Sequence, residues 1–246
     1  IADERIRKDI AMVKCNKPVV IIMGPPGSGK GTQALLLVDK FGLHYHETSK
    51  MIESHIMNAK MGAYEIVNGK KYPLADERKK WSTGLMCTTE LINYWGEKII
   101  ADLAKNNQGI VFSGSPRTFS EAELMMPFLE KLYQKKNIKI IFLTLKPEDT
   151  MYRNSNRRIC ELMRHPILFN EDTKNLKTCP LDGSKLIERK GLDDPESIKV
   201  RLQVYKDTTM PVIDYLRKHK YFVKTVSAAP SPSVIFNNIL KALDLK

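Results

Sequence analysis

The chain has 246 residues, enough for one sizeable hydrophobic core or a core with small appended lobes, which excludes a mini-protein. Hydrophobic residues make up 42% and charged residues 28%, and no uncharged apolar run approaches the roughly 20 residues that span a bilayer, so a membrane protein is not expected. The 40 Lys and Arg against 28 Asp and Glu give +12, which suits an anionic partner without separating a nucleotide from a nucleic acid or a membrane surface. Four cysteines do not make a disulfide framework, and the mixed-charge stretch Ile1 to Lys17 has no signal-peptide core, so a reducing cytoplasm is the expected location.

In chain order, that charged amphipathic stretch reads as an N-terminal helix. Pro18 to Met23 is continuously apolar and rich in Val and Ile, the pattern of a strand buried on both faces. A glycine-rich turn follows, then helical character from Thr32 to Lys40, stopped by Gly42 as a natural C-terminal cap. Between Thr48 and Gly84 a helical stretch leads into Tyr64 to Tyr72, whose central Asn68-Gly69 is the pair best suited to a type I′ hairpin turn; a small lobe is predicted. Gln108 to Ser113, Ile138 to Leu145 and Tyr221 to Val226 are further buried-strand candidates. Between Cys160 and Arg189 lies an irregular insert with Pro166, Pro180, Gly183 and two of the cysteines, and an amphipathic helix after Pro232 closes the chain. This is the α/β pattern of a parallel sheet covered by helices. The predicted core comprises residues 1–47, 85–159 and 190–246, with inserts at 48–84 and 160–189.

Gly24-Pro25-Pro26-Gly27-Ser28-Gly29-Lys30-Gly31-Thr32 sits between the first strand and the first helix, the context a phosphate-binding P-loop requires. Glycines let successive N–H groups converge on phosphate oxygens, and the helix N-terminus adds partial positive charge. Lys30 supplies a point charge, and Thr32 offers a hydroxyl to the phosphates or to Mg²⁺.

Gly24 to Gln33, read GPPGSGKGTQ, resembles the P-loop of the adenylate kinase family of nucleoside monophosphate kinases. Ser113 to Thr118 resembles that family's DGFPRT segment, Asn156-Arg157-Arg158 its GRR, and Asp193-Asp194 with Arg201-Leu202 the stretch after its lid. The resemblance implies a three-layer P-loop fold with a five-stranded parallel sheet, a monophosphate-binding insert at 48–84 and a lid at 160–189. It implies Gly24, Gly27, Ser28, Gly29, Lys30, Gly31, Thr32, Arg153 and Arg157 on ATP, and Thr48, Met86, Arg117, Glu121, Arg189 and Arg201 on the monophosphate. Lys30 with Arg117, Arg153, Arg157, Arg189 and Arg201 would be the catalytic cations, because an anionic acceptor oxygen needs charge neutralisation and alignment rather than a general base. Arg153 and Arg157, four apart on a predicted helix, are expected on one face, and Arg201 about two turns into a helix begun by Asp194-Pro195.

Three positions depart from the family pattern. Ser113 stands where an aspartate orders the water shell of Mg²⁺. Glu53 replaces the arginine that clamps the monophosphate, and Lys50, one helical turn earlier, is the candidate substitute. Glu121 replaces the glutamine that reads adenine; a carboxylate only accepts hydrogen bonds, so donors of guanine or cytosine fit as well. In the lid, Cys160-x-x-Met163 and Cys179-x-x-Asp182 have the spacing of zinc-binding lids, but Met163 is a poor ligand. His165 is close enough to replace it, so the lid is either metal-free or holds zinc on Cys160, His165, Cys179 and Asp182. Cys15 and Cys87 are expected to be small buried apolar residues.

The expected function is transfer of phosphate from Mg-ATP to a monophosphate, AMP first, by a monomer without nucleic-acid or membrane partners. Kinases of GMP, CMP or UMP, and a P-loop switch with little turnover, stay open. A nucleic-acid module would need basic residues interleaved with aromatics, which the scattered lysine runs do not provide.

Overall fold

The protein is described here from a computed structural model, over residues 13–82, 87–189 and 193–244. Most of the predicted N-terminal helix, and Met86, lie outside those residues, and the described end of that stretch, 13–17, is not helical. Strand β1 (Val19–Met23) runs through the P-loop into α1 (Lys30–Phe41), followed by β2 (His44–His46), α2 (Thr48–Met57), the hairpin β3 (Tyr64–Val67) and β4 (Lys70–Pro73), and α3 (Leu74–Ser82). Helix α4 (Thr89–Lys105) then leads to β5 (Ile110–Ser113), α5 (Phe119–Tyr133), β6 (Ile138–Thr144) and α6 (Pro147–Ser155). Short strands β7 (Arg158–Cys160), β8 (Pro166–Ile167) and β9 (Leu186–Ile187) precede α7 (Pro195–Val204), a π-helical turn (Tyr205–Thr209), α8 (Met210–Lys218), β10 (Phe222–Ser227) and α9 (Pro232–Leu243).

The main sheet is parallel throughout, in the spatial order β10-β6-β1-β5-β2. Its centre explains the unbroken apolar run of β1. Val19, Ile21 and Met23 face a core shared with Ala104 of α4, Leu129 of α5 and Leu216 of α8. Val20 and Ile22 face the opposite core, with Leu37 of α1 and Ile239 of α9. A strand buried on both sides has no polar face to alternate with. Four of the five strands match the sequence expectation within two residues; β2 was not foreseen, because His-Tyr-His carries no apolar run and is held at the edge by pairing of His44, Tyr45 and His46 with Ile110, Val111 and Phe112.

The inserts form two separate small sheets. In the first, Asn68 (φ 49°) and Gly69 (φ 79°) both take positive φ, as a type I′ turn demands. Its Ile52, Ile56, Val67 and Tyr72 close on Leu91 and Trp95 of α4. Helix α3 was missed in the sequence, although Asp76 and Glu77 in its first turn and Lys79 and Lys80 in its last complement the helix dipole. In the second, β7 pairs antiparallel with both β8 and β9.

One placement needs correction. Arg157 does not share a helix with Arg153: α6 ends at Ser155, where the Asn156 side chain donates to the Tyr152 carbonyl and the backbone leaves helical geometry. Helices α7 and α9 lie where the sequence placed them, the former capped by Asp194 accepting from the Ser197 N–H at 2.9 Å. Among the described residues, no helix is long and apolar enough to cross a membrane.

Candidate active site

The P-loop is pressed into its shape by its neighbours. A Cβ on Gly24 (φ 153°) would lie 2.7 Å from the Leu143 carbonyl oxygen, and one on Gly27 (φ 80°) 2.6 Å from Asn154 Nδ2, so neither position tolerates a side chain. Gly29 caps α1 in the left-handed region. Within the loop, Lys30 Nζ donates to the carbonyls of Gly24 and Pro25, both at 2.9 Å, and the buried Ser28 hydroxyl has no partner. A lysine bonded to loop carbonyls and an unpartnered buried hydroxyl beside it suit a cradle for an anion. Tyr45, unforeseen, places its hydroxyl 3.5 Å from where a Gly31 Cβ would be; burial and the Glu47 carboxylate push its pKa up to about 12.

Five cations gather at the loop. Burial and the like charges of Arg117, Arg201 and Arg157 bring Lys30 down to about 7. Burial also lowers Arg157 and Arg201, and Arg189 adds to both shifts. Their shared counter-charge is the buried Asp193, whose Oδ1 is 3.6 Å from Arg157 Nη1 and 3.4 Å from Arg201 Nη1 while its Oδ2 is unpartnered. Arg157 Nη2 also donates to Asn154 Oδ1 at 2.6 Å. Arg153 stands apart, donating to the carbonyls of Ala228 and Ala229 at 2.8 and 2.9 Å.

The second cleft lies between α4 and α5, floored by Phe112 and bordered by His46, Thr48 and Met51. Thr48 Oγ1 and Ser115 Oγ are 2.6 Å apart, and Ser115 donates to Glu121 Oε1 at 2.7 Å. Glu121 Oε2 accepts from the Arg117 N–H at 2.7 Å, while the Glu121 N–H donates to Thr118 Oγ1. Thr118-x-x-Glu121 is thus a variant of the capping box, a signal legible in the sequence. Arg117 Nε donates to the Gly114 carbonyl at 2.6 Å. Lys50 is largely exposed, 3.6 Å from Glu47, and neither it nor Glu53 lines this cleft. The residues sequence reasoning missed are Asn93, Gly96 and Glu97 of α4, and His46, which burial and His44 bring down to about 4 and hence keep neutral.

In the second insert, ligand atoms of Cys160, His165, Cys179 and Asp182 all lie within 4.8 Å of one another. His165 is 3.2 Å from Cys160 Sγ through Nδ1 and 2.9 Å from Cys179 Sγ through Nε2. Asp182 Oδ1 accepts from the Ser184 N–H and hydroxyl, which hold the carboxyl well below the usual range, and its buried Oδ2 has no partner. Met163 points to solvent, as expected of a residue displaced from the cluster. Cys15 and Cys87 are buried and belong to neither site.

A P-loop at the end of β1, arginines converging on it and a second cleft beside it find their match in known proteins: the family model for adenylate kinase covers residues 22–221. The chain belongs to the adenylate kinase family. It is 30% identical over 226 residues to adenylate kinase of Mycoplasma capricolum subsp. capricolum, covering 89% of this chain and 96% of that protein. Adenylate kinase of Methanothrix thermoacetophila is 32% identical over 226 residues (91% and 97% covered), and that of Elusimicrobium minutum 29% over 237 residues (93% and 99% covered). As a member of this family it is an ATP-dependent nucleoside monophosphate kinase, and its parallel five-stranded sheet flanked by helices is the P-loop fold the sequence led us to expect.

Proposed function

We propose that the protein transfers the γ-phosphoryl group of Mg-ATP directly to AMP, giving two ADP. An acceptor phosphate oxygen forms a bond to the γ-phosphorus as the bond to the bridging oxygen of the leaving ADP breaks; the nucleophile is already anionic, so no base is required. The observation that carries this reading is the gathering of Lys30, Arg117, Arg157, Arg189 and Arg201 with one buried carboxylate among them. Such a site is electrostatically incomplete until polyphosphate enters, and most complete when charge spreads over the transferring group. Lys30 and Arg157 serve the ATP phosphates with the loop from Gly24 to Thr32. Arg153 borders the ATP base through the Ala228–Ala229 loop, and Arg189 and Arg201 bridge donor and acceptor. Arg117 attends the acceptor phosphate, with Thr48, Met86 and Glu121 on the acceptor nucleoside; Lys50, exposed outside the cleft, would reach that phosphate only when the first insert closes. Mg²⁺ would enter with ATP as part of the substrate, and the hydroxyls of Thr32 and Ser113 would be available to hydrogen-bond its shell.

We further read residues 48–84 and 160–189 as lobes that close over the two nucleotides, excluding water from the transfer. The donor set Cys160, His165, Cys179 and Asp182 suits tetrahedral zinc, and the orphaned Asp182 Oδ2 supports its being a ligand. Bound there, the metal would cross-link the lid and take no part in transfer.

Parallel assays of transfer from Mg-ATP to AMP, GMP, CMP and UMP, with a no-acceptor control, test the reading. The expected result is rapid turnover with AMP and little ATP hydrolysis alone; ATP binding without transfer to any acceptor overturns it. Replacement of Lys50 by Ala with an unchanged acceptor KM would remove that residue from the site.

A further inference from the structure

Asn93, Gly96, Glu97 and Ile100 of α4 are spaced i, i+3, i+4 and i+7, so they form one helix face, and all four line the same cleft as Glu121 of α5. Asn93 Nδ2 is buried and has no hydrogen-bond partner. An amide donor left unpaired in a protein interior is costly, so its retention on a cleft wall points to a ligand acceptor. Gly96, in mid-helix, has nothing within 4 Å of where its Cβ would stand, which opens the wall beside Asn93. Glu121 cannot supply the missing donor: each carboxylate oxygen already accepts one bond, from Ser115 and from the Arg117 N–H, and its remaining lone pairs only accept.

Adenine presents an acceptor, N1, beside a donor, the N6 amine. We propose that Asn93 determines base specificity in this cleft, its side-chain amide donating to adenine N1 while the Glu121 carboxylate accepts from the N6 amine. The two functions a single glutamine amide would combine are then divided between two facing helices. This inference rests on the AMP kinase reading above.

Steady-state kinetics on the full chain test it, comparing AMP with 1-deaza-AMP, in which N1 is replaced by C–H. Wild type is expected to show a KM about tenfold or more higher for 1-deaza-AMP. Asn93→Leu should raise the KM for AMP to a similar extent, leave the KM for ATP unchanged, and lose discrimination between the two acceptors. Asn93→Ala, which removes the donor without adding apolar bulk, should behave alike and guards against a packing defect in the leucine variant; melting temperatures certify both folds. Variants that keep the wild-type preference for AMP, or a wild type that does not distinguish the analogue, overturn the role of Asn93 while leaving the kinase intact. A wild type that phosphorylates no monophosphate defeats the kinase reading and this inference with it.

Discussion

At the scale of single residues, Lys30 shows how a site prepares for an anion. Its ammonium is brought down to about 7 by burial and by three arginines, against 10.5 for a free lysine. Between those values the folded, ligand-free protein holds fewer protons than the unfolded chain, so this group makes stability rise with pH across that window; the cost of the buried charge is fully present below it. Polyphosphate reverses the balance by offering negative charge to the same atom. ATP binding should therefore take up protons near pH 8 and almost none near pH 6, where Lys30 is already charged. Calorimetry in buffers of different ionisation enthalpy measures this; identical uptake at both pH values would show that another group titrates. Glu121 makes a second residue-scale point, since its identity suggests a surface acid whereas its bonds to Ser115 and Arg117 make it a fixed part of the acceptor wall.

At the scale of elements, α4 carries a conflict between helix stability and cleft shape. Glycine in a helix interior is destabilising relative to alanine by roughly 0.5–1 kcal/mol, and Gly96 has room for a methyl group and ordinary helical backbone. Gly96→Ala should raise the melting temperature by roughly 1–4 °C. Because that methyl would project into the acceptor cleft, the KM for AMP should rise while the KM for ATP stays constant. Differential scanning calorimetry with steady-state kinetics reads both; a stabilised variant with unaltered AMP kinetics would place the base elsewhere. Helix α6 offers the complementary case, where termination at Ser155 releases Arg157 from the helix and lets it reach Asp193 and Asn154.

At the scale of the whole molecule, the second insert has little to hold it without a cross-link. Strands β8 and β9 span two residues each, while Leu162, Met163, Leu168 and Leu181 are exposed. Chains with such small cores are commonly stapled by metal or disulfide. If zinc sits on the Cys160 cluster, elemental analysis of protein purified without chelator should find about one equivalent, as a single four-ligand site requires. Chelation, or Cys179→Ser, should lower the melting transition of the lid more than that of the parallel sheet, observed as a separate low-temperature phase by calorimetry. Protein with no metal and a melting curve indifferent to chelator would leave the lid held by packing and hydrogen bonds alone.

Local chemistry made the phosphate cradle, both inserts, the type I′ hairpin, the central strands and the four candidate lid ligands legible from the chain alone. Each depends on neighbours in sequence: glycines that must take positive φ, apolar runs buried on both faces, Asn-Gly at a turn, ligands at short spacing. Tertiary structure decided the rest. Strand β2 exists because β5 offers an edge to His44, Tyr45 and His46, and Asp193 becomes a counter-charge of Arg157 only because α6 and α7 pack together. Asn93 and Glu121 line one cleft although 28 positions separate them in the chain. Propensity and spacing report what a segment does with its own backbone, whereas the pairing of charges and the lining of a cleft depend on which distant faces the sheet brings together.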